Sequence, residues 1–335
     1  MEQALYHPEH GYYSSGRCAI GRKGDYITNV SVGPLFGWLL AAQFAEIWRQ
    51  LGKINNFVIT EQGAHDGRFA RDVLESAQTR ALEFFDALRY QIVEPFPILR
   101  EQQSQTLERF RDKIEWRNSL EPFTGVHFSN ELLDAMPVRL IGGGMEKLVG
   151  LQDDKFVFID RPISETAPNQ AALDWIDKLA VNLQQGYLLA IDYGHSGDNF
   201  QQDVHVRARH RHLDSPFDEI GHADITMHVD WRSIARRAEA NEMRVAGFAD
   251  QHHFLTGIIS ELGKGSSPKP PADDLSQAPL PDSPKAKRAL QTLLHPEMLG
   301  RAFQVLALAK NVEPSARRLA GLKFARQPRS VLRLD

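Results

Sequence analysis

The sequence predicts an α/β fold built on a doubly wound, mostly parallel sheet. Short apolar segments rich in β-branched residues alternate with segments of helical period along most of the chain. Acidic and amide side chains also follow several predicted strands at their carboxyl ends. In open sheets of this kind ligands bind outside those ends, so the same pattern predicts a binding site.

The chain opens with a long irregular segment, residues 6–33, rich in Gly, Tyr and Ser. A segment of this length without regular structure is unusual in a compact domain unless it packs on a functional site. Pro34 suits the first position of a helix, and the apolar pattern continues that helix over 35–51. Apolar residues occupy most of its circumference, so we expect it to be buried on more than one side.

The next segment, residues 57–70, has the order strand, glycine turn, helix. Gly63 and Gly67 in the turn tolerate positive φ and carry no Cβ, which lets the backbone approach a nucleotide. The spacing E-x-G-x-x-x-G does not match the dinucleotide signature G-x-G-x-x-G. Glu61 at the strand end instead favours S-adenosylmethionine, whose amino-acid end carries a cationic amine. For this motif alone, a purely structural turn is an equally good interpretation.

The rest of the chain repeats the alternation of strands and helices. Further strands are predicted at 90–94, 113–116, 125–129, 138–160 (a group joined by turns), 186–192, 243–248 and 302–309. Further helices are predicted at 95–110, 168–184, 231–241, 252–262 and 287–294. We expect the last strand to be added at an edge of the sheet.

The domain organisation predicted from composition is one domain over residues 1–310. Substrate-side insertions are expected near 138–180 and 195–230. The segment 263–285 is rich in Pro, Ser and Asp and is expected to be a flexible loop. The last segment, 311–335, is basic and is expected to form a mobile tail.

Glu94 ends the second strand, about one βα unit after the glycine turn. A carboxylate at this position accepts two hydrogen bonds from a ribose diol. The alternative is a carboxylate that stabilises the start of the helix after Pro95. We favour ribose binding because the glycine turn stands at the correct earlier position.

Asn130, Glu131 and Asp134 follow the fourth strand directly. If Asn130 begins a helix, Glu131 and Asp134 lie on one face and can hold a guanidinium by its fork. An ordinary capped helix explains the same residues equally well. Asp192 ends the fifth strand and is expected to contact either the substrate or the amino-acid end of the cofactor. The strand ends together place five polar groups on one rim: Glu61, Glu94, Asn130, Glu131 and Asp192.

Composition narrows the possible functions. A net charge of -4 and a pI near 6.4 give no general electrostatic case for nucleic acid or an anionic membrane. Cys18 is the single cysteine, which fits a reducing compartment, and no metal site is predicted because the histidine-rich segments carry adjacent cations. No apolar run reaches the roughly 20 residues that span a bilayer, and no signal peptide is visible. We therefore expect a cytoplasmic protein without membrane insertion.

With these residues assembled, the chain resembles the MidA-like family of S-adenosylmethionine-dependent methyltransferases. The similarity extends from the N-terminus to about residue 309. The matching segments are 4–13, 24–28, 36–37, the Glu61/Gly63/Gly67 turn, 92–95 with Leu99, Arg100 and Gln103, 130–138, 191–194, 223–230 and 251–258.

The resemblance implies a class I methyltransferase fold with a Rossmann-like, seven-stranded sheet. It implies that Gly63 and Gly67 contact the cofactor, Glu94 binds its ribose, and Asp25 and Thr28 close over the site. The segment from Asn130 to Asp134 would face the transferred methyl group. The animal member of the family is a mitochondrial assembly factor that symmetrically dimethylates an arginine of a respiratory complex I subunit.

The function expected from the sequence is therefore methyl transfer from S-adenosylmethionine to a protein arginine, with Glu131, Asp134 and Asn130 as catalytic residues. The partners expected in this interpretation are a protein substrate, such as a complex I subunit, and a second copy of the chain in a homodimer. One alternative is a small-molecule methyltransferase on the same fold. Another is a binding scaffold with a decayed cofactor site, which His65 favours because the family usually has smaller residues there.

Overall fold

The computed structural model describes residues 1–18, 21, 28–163, 167–196, 204–262, 283–313 and 318–334. Its strands in chain order are β1 (Phe57–Gln62), β2 (Leu88–Val93), β3 (Ile114–Arg117), β4 (Phe123–Asn130), β5 (Leu140–Gly142), β6 (Met145–Gln152), β7 (Lys155–Pro162), β8 (Leu183–His195), β9 (Val204–Ala208), β10 (Arg211–Leu213), β11 (Asp224–Met227), β12 (Val229–Asp230), β13 (Arg244–Asp250) and β14 (Phe303–Lys310). Its α-helices are α1 (Glu2–Tyr6), α2 (Leu35–Gln50), α3 (Arg68–Arg80), α4 (Leu82–Ala87), α5 (Pro97–Thr106), α6 (Gln170–Asn182), α7 (Trp231–Ala240), α8 (Gln251–Glu261), α9 (Pro284–Leu294) and α10 (Pro328–Leu332).

The central sheet has the strand order β13-β14-β8-β4-β1-β2-β3, and the short strand β12 pairs with β8. The pairs β8–β4, β4–β1, β1–β2 and β2–β3 are parallel, whereas β14 is antiparallel to both of its neighbours. The predicted seven-stranded, mostly parallel sheet is confirmed. The predicted edge position of the last strand is wrong, because β14 lies between β13 and β8 and forms backbone hydrogen bonds with both.

Helices cover both faces of the sheet. One face packs on α2, α3, α8 and α9, and the other packs on α6, α7 and α10. Helix α2 is buried along most of its length, as its apolar circumference predicts, and Pro34 caps the helix instead of beginning it. None of the described helices is long and apolar enough to cross a membrane.

Two small antiparallel sheets lie within the predicted insertions. One has the order β5-β6-β7 and the other β10-β9-β11. The N-terminal segment packs on the second sheet, where Leu5 and Tyr12 are buried with Val206 and Ile225. The opening of the chain is therefore held against the substrate-side insertion, where it can cover a site.

The C-terminal segment differs from the expected mobile tail. In its described part, Leu319, Leu322 and Leu332 are buried although many of their neighbours are basic. Leu319 and Leu322 join the core near α8, and Leu332 joins the core on the other face. Burial of these three leucines holds the segment against the core. The many basic residues around them made this packing unpredictable from the charge pattern. Most of the predicted flexible loop lies outside the described residues, and its end begins α9 with a capping Ser283.

Candidate functional site

A cavity of about 340 Å³ opens at the carboxyl ends of β1, β2 and β4. It brings together residues that are far apart in the sequence. The predicted site residues that line it are Thr28, Glu61, Gly63, Glu94, Asn130 and Glu131. Gly67 and Asp134 lie behind this lining, and Asp25 lies outside the described residues. The rim that the sheet topology predicts is therefore present.

The turn after β1 has the backbone conformation that its glycines predict. Gly63 and Gly67 have φ angles of 78° and 81°, and Gly67 caps α3. A Cβ atom on Gly67 would lie 3.2 Å from the side chain of Leu107. His65 also has a positive φ, of 46°, although it carries a side chain. The turn thus needs glycine at both predicted positions for conformational reasons.

Glu61 is almost fully buried at the end of β1. The hydroxyl of Tyr90 donates a hydrogen bond of 2.7 Å to its Oε2 atom. Burial raises the pKa of Glu61 to about 8, because a carboxylate is poorly solvated there. A cationic ligand in the cavity would favour the ionised form.

Glu94 is held by two donors at the start of the connection after β2. The backbone N–H of Phe96 donates to its Oε1 atom over 3.1 Å, and Nε2 of Gln103 donates to its Oε2 atom over 3.1 Å. Burial raises the pKa of Glu94, while these two donors oppose the rise. The carboxylate is oriented before any ligand arrives.

Gln103 is a functional residue whose role the sequence reasoning missed. Besides Glu94, its amide donates to the carbonyl of His65 over 2.9 Å and accepts from the indole of Trp116 over 3.0 Å. It therefore ties the glycine turn to the second strand end. The signal was available, because Gln103 stands four residues from both Leu99 and Leu107 on the apolar stripe of a helix.

Residues 131–134 do not form the predicted helix. Asn130 is the last residue of β4, and Glu131 has a left-handed φ of 55°. The expected i, i+3 pair of carboxylates is therefore wrong, since the loop turns Glu131 toward the cavity and leaves Asp134 buried behind it. The sequence carries no residue that excludes a helix here, so the reason lies in the contacts that hold the loop.

Asp192 supplies those contacts. Its Oδ2 atom accepts hydrogen bonds from the backbone N–H groups of Leu133, at 2.8 Å, and Asp134, at 3.2 Å. Its Oδ1 atom accepts from the N–H of Tyr193 at 2.8 Å. Asp192 does not line the cavity, so it holds the loop and makes neither of the ligand contacts expected from the sequence.

Four carboxyl groups stand close together on this side of the cavity: Glu131, Asp134, Asp192 and Asp224. Burial is the main cause, and the charge of Asp192 the second, of a rise in the pKa of Glu131 to about 8. Burial also raises the pKa of Asp192 to about 7 and, together with the neighbouring carboxylates, raises that of Asp134 well above its usual range. These groups share protons, and a cation entering beside them would be stabilised.

The N-terminal segment forms a wall of the cavity, as its length and composition predict. Tyr6 and Tyr13 line the cavity. The ring of Tyr6 stacks on Phe96 at 6.4 Å, and its hydroxyl donates to the carbonyl of Ala135 over 2.9 Å. The hydroxyl of Tyr13 donates to Asp224 over 2.6 Å. The aromatic wall therefore bridges the two sides of the site.

His65 faces the N-terminal segment, with its Nε2 atom 3.3 Å from the carbonyl of Cys18. Burial disfavours the charged imidazolium, but interactions with Asp66 and Cys18 outweigh burial and raise the pKa of His65 to about 10. Asp66 also accepts a hydrogen bond of 2.6 Å from Arg68. The turn is thus fixed by an ion-paired cluster at the mouth of the cavity.

Comparison with known proteins identifies relatives of this chain. A family model of S-adenosyl-L-methionine-dependent methyltransferases matches residues 39–172 and 164–249. Protein arginine methyltransferase NDUFAF7 homolog, mitochondrial, of Drosophila melanogaster is 25% identical over 93% of this chain and 80% of its own length. The human NDUFAF7 protein is 25% identical over 98% of this chain and 82% of its own length.

A crystal structure also has this fold. A Burkholderia thailandensis protein bound to S-adenosyl-homocysteine superposes with a TM-score of 0.82 and 26% identity, covering 98% of this chain and 90% of that chain. The sheet order and the cavity at its strand ends, with this likeness, define a class I methyltransferase that uses S-adenosylmethionine. The chain belongs to the MidA-like family of these enzymes, because the family model matches more than half of its length.

S-adenosylmethionine is therefore the cofactor, as the sequence predicts. The donor set fits it, because buried carboxyl groups line the cavity and the ligand carries cationic amine and sulfonium groups. The expectation of a cytoplasmic protein is wrong. The finding that overturns it is that the Drosophila, cattle and human relatives are all named mitochondrial proteins.

Proposed function

We propose that this methyltransferase modifies arginine side chains of a protein substrate. The observation that carries the proposal is the group of four carboxyl groups beside the cavity, with Glu131 on its wall. Such a group favours a cationic acceptor, and arginine remains charged at every physiological pH. The names of the animal relatives, protein arginine methyltransferases, support the same acceptor.

On the cofactor side, Glu61 pairs with the cationic amine and Glu94 accepts hydrogen bonds from the ribose diol. Gly63 and Gly67 let the backbone of the turn approach the ligand. Thr28 lines the cavity and covers this side of the site. When bound, the cofactor supplies an electrophilic methyl group, so the protein has mainly to align donor and acceptor.

On the acceptor side, Glu131 orients the guanidinium and accepts the proton that the methylated nitrogen loses. A raised pKa suits this second task, because it brings the carboxylate closer to the pKa of the group that it deprotonates. Asn130 fixes the Glu131 carboxylate by donating to its Oε1 atom over 2.8 Å. Asp134 acts from behind the cavity wall by sharing a proton with the other carboxyl groups.

The substrate inferred from the family resemblance is a subunit of respiratory complex I. Glu131 lines the cavity, so a protein acceptor would meet it by inserting an arginine side chain into that cavity. A homodimer is a further proposal of the same kind. Gel filtration with light scattering tests the dimer directly.

The deciding experiment incubates the purified protein with isotopically labelled S-adenosylmethionine, a panel of arginine peptides, complex I subunits and a metabolite mixture. Mass spectrometry is expected to find the label on arginine nitrogen, and none in matched lysine peptides. Labelling of a metabolite without any protein would establish a small-molecule methyltransferase instead. If calorimetry detected no cofactor binding at millimolar concentration, the protein would be a scaffold.

A further inference from the structure

A row of side-chain amides leads from helix α8 to the cavity. Nε2 of Gln251 donates to Oδ1 of Asn29 over 2.8 Å, and Nδ2 of Asn29 donates to Oδ1 of Asn130 over 2.8 Å. Nδ2 of Asn130 then donates to Oε1 of Glu131, also over 2.8 Å. Gln251 and Asn29 are fully buried. The row therefore connects the cavity wall to a residue that lies outside the cavity lining.

The direction of this row is fixed at both ends. Nε2 of Gln251 also donates to the backbone carbonyl of Leu293 near the end of α9, over 3.1 Å. A carbonyl only accepts, so the amide nitrogen of Gln251 must face Leu293 and Asn29. At the other end an ionised Glu131 only accepts. Each amide between them must then present its nitrogen toward the cavity.

This orientation of the amides leaves one buried polar atom without a hydrogen bond. Oε1 of Gln251 is buried and has no hydrogen-bond partner among the residues that the structure describes. An unpaired buried amide oxygen is unfavourable, and such groups occur where a site requires them. The opposite orientation of Gln251 would direct its nitrogen away from Leu293 and Asn29, and the row would no longer end in a donor to Glu131.

We propose that Gln251 is a positioning residue that orients Glu131 and favours its ionised form through Asn29 and Asn130. Its effect on turnover rests on the proposed catalytic function of Glu131. Its effect on the carboxyl group itself does not. Gln251 acts at a distance of two side chains, so it touches neither substrate nor cofactor.

Among the described residues, three carboxyl groups that face Glu131 disfavour its ionised form: Asp134 on the same loop, Asp192 on β8 and Asp224 on β11. This row and the backbone N–H of Asn29 favour the ionised form, and Tyr193 on β8 is a neutral phenol beside it. Removing the row should therefore leave only the backbone N–H of Asn29 against the repulsive neighbours and raise the pKa of Glu131 further.

The test compares Gln251→Met with Gln43→Met. Gln43 is also a buried glutamine with two hydrogen bonds, to Glu46 and Gly321, but it lies outside the row. Carbon-13 NMR of labelled glutamate carboxyl groups, with Glu131→Gln identifying the signal, measures the pKa of Glu131. We expect Gln251→Met to raise it by about one unit. Turnover at pH 7 should fall about tenfold, with the acid limb of the kcat profile shifted equally. Gln43→Met should leave both unchanged.

A pKa of Glu131 that is the same in Gln251→Met and in the unsubstituted protein would overturn the proposal. If Gln251→Met does not fold, Asn29→Leu removes the middle of the row and must produce the same shift. If the pKa moves but Glu131→Gln retains full turnover, positioning is supported and the catalytic assignment of Glu131 fails. The two failures are therefore distinguishable.

Discussion

The two sides of the cavity hold their carboxyl groups in different ways. On the cofactor side, Glu61 and Glu94 are separate, and each has its own neutral donor, such as Tyr90 for Glu61 and Gln103 for Glu94. On the acceptor side, Glu131 belongs to a group of carboxyl groups that repel one another and share protons. The first side is suited to binding one ligand in one orientation. The second is suited to receiving a cation and releasing its proton.

The backbone differs in the same way. The cofactor side consists of regular strand ends and a glycine turn, whose conformation follows from local residues. The acceptor side is a loop whose shape depends on two hydrogen bonds to Asp192, about sixty residues further along the chain. The backbone conformation of the cofactor side is therefore determined by nearby residues in the sequence. That of the acceptor side depends on tertiary contacts with a distant residue.

The largest expected effect tests whether the acceptor side contributes to the methyl-transfer step without contributing to cofactor binding. We expect Glu131→Gln to lower kcat by about 10²–10³-fold, because an oriented charge near the reacting atoms is lost. The dissociation constant of S-adenosylmethionine should change by less than about twofold, since the cofactor side is intact. Initial rates with an arginine peptide and calorimetry measure the two quantities. Glu121→Gln, at an exposed glutamate, is the matched control.

A Glu131→Gln protein with unchanged kcat would remove this residue from the mechanism. A large loss of cofactor affinity would instead show that the two sides are not separate. The first result would contradict the role of the acceptor side in catalysis, and the second would contradict the independence of the two sides of the cavity.

The second effect tests the cofactor side. Glu94→Ala should weaken binding of S-adenosylmethionine by about 1.5–3 kcal/mol, the scale of hydrogen bonds to a charged group. Turnover at saturating cofactor should fall much less than in Glu131→Gln. Titration calorimetry measures the affinity, and Glu101→Ala, at an exposed residue of the following helix α5, serves as control. An unchanged affinity would contradict ribose binding by Glu94.

These regions also show how much the sequence predicts. The strands, the glycine turn and Glu94 follow from local patterns, because parallel strand ends must meet at one edge of the sheet. Their convergence around one cavity is confirmed. The family resemblance predicted the cofactor partly for the same reason, since several of the matching segments, such as 92–95 and 130–138, lie at those strand ends.

The acceptor loop could not be predicted in this way. Residues 130–134 are compatible with a capped helix, and nothing local opposes it. The helix does not form because the carboxylate of Asp192 accepts hydrogen bonds from the backbone N–H groups of Leu133 and Asp134 in a non-helical arrangement. The internal position of β14 and the packed C-terminal segment are tertiary properties too, because burial of an apolar strand or of Leu332 depends on distant partners.

A smaller effect tests whether the glycine turn is needed for its conformation alone. Gly67 and Gly52 both have a φ of 81°, but a Cβ atom on Gly52 would meet nothing within 4 Å. Each substitution by alanine should therefore lower the free energy of unfolding by about 1–2 kcal/mol through backbone strain. Only Gly67→Ala should also weaken cofactor binding. Urea unfolding and calorimetry of both variants measure this, and equal affinities would assign Gly67 a purely structural role.

The last effect concerns the dependence of stability on pH. Glu131 has a pKa of about 8 in the folded protein against 4.5 for an ordinary glutamate, so the folded state binds the extra proton between these values. Stability from this group is greatest below pH 4.5 and is lost as the pH rises toward 8. Glu131→Gln cannot lose a proton, so its stability should fall less between pH 5 and pH 7.5, by about 3 kcal/mol for these two pKa values.

Urea unfolding at the two pH values measures this difference, and Glu101→Gln is a suitable control because that glutamate is exposed. Asp192 and Asp134 will still titrate in Glu131→Gln, so the slope should be reduced without disappearing. Removing one carboxylate also lowers the repulsion on the others, which shifts their titration toward lower pH and adds to the reduction. If the two proteins lost stability in parallel, the acceptor carboxyl groups would not share protons, and both sides of the cavity would hold their charges in the same way.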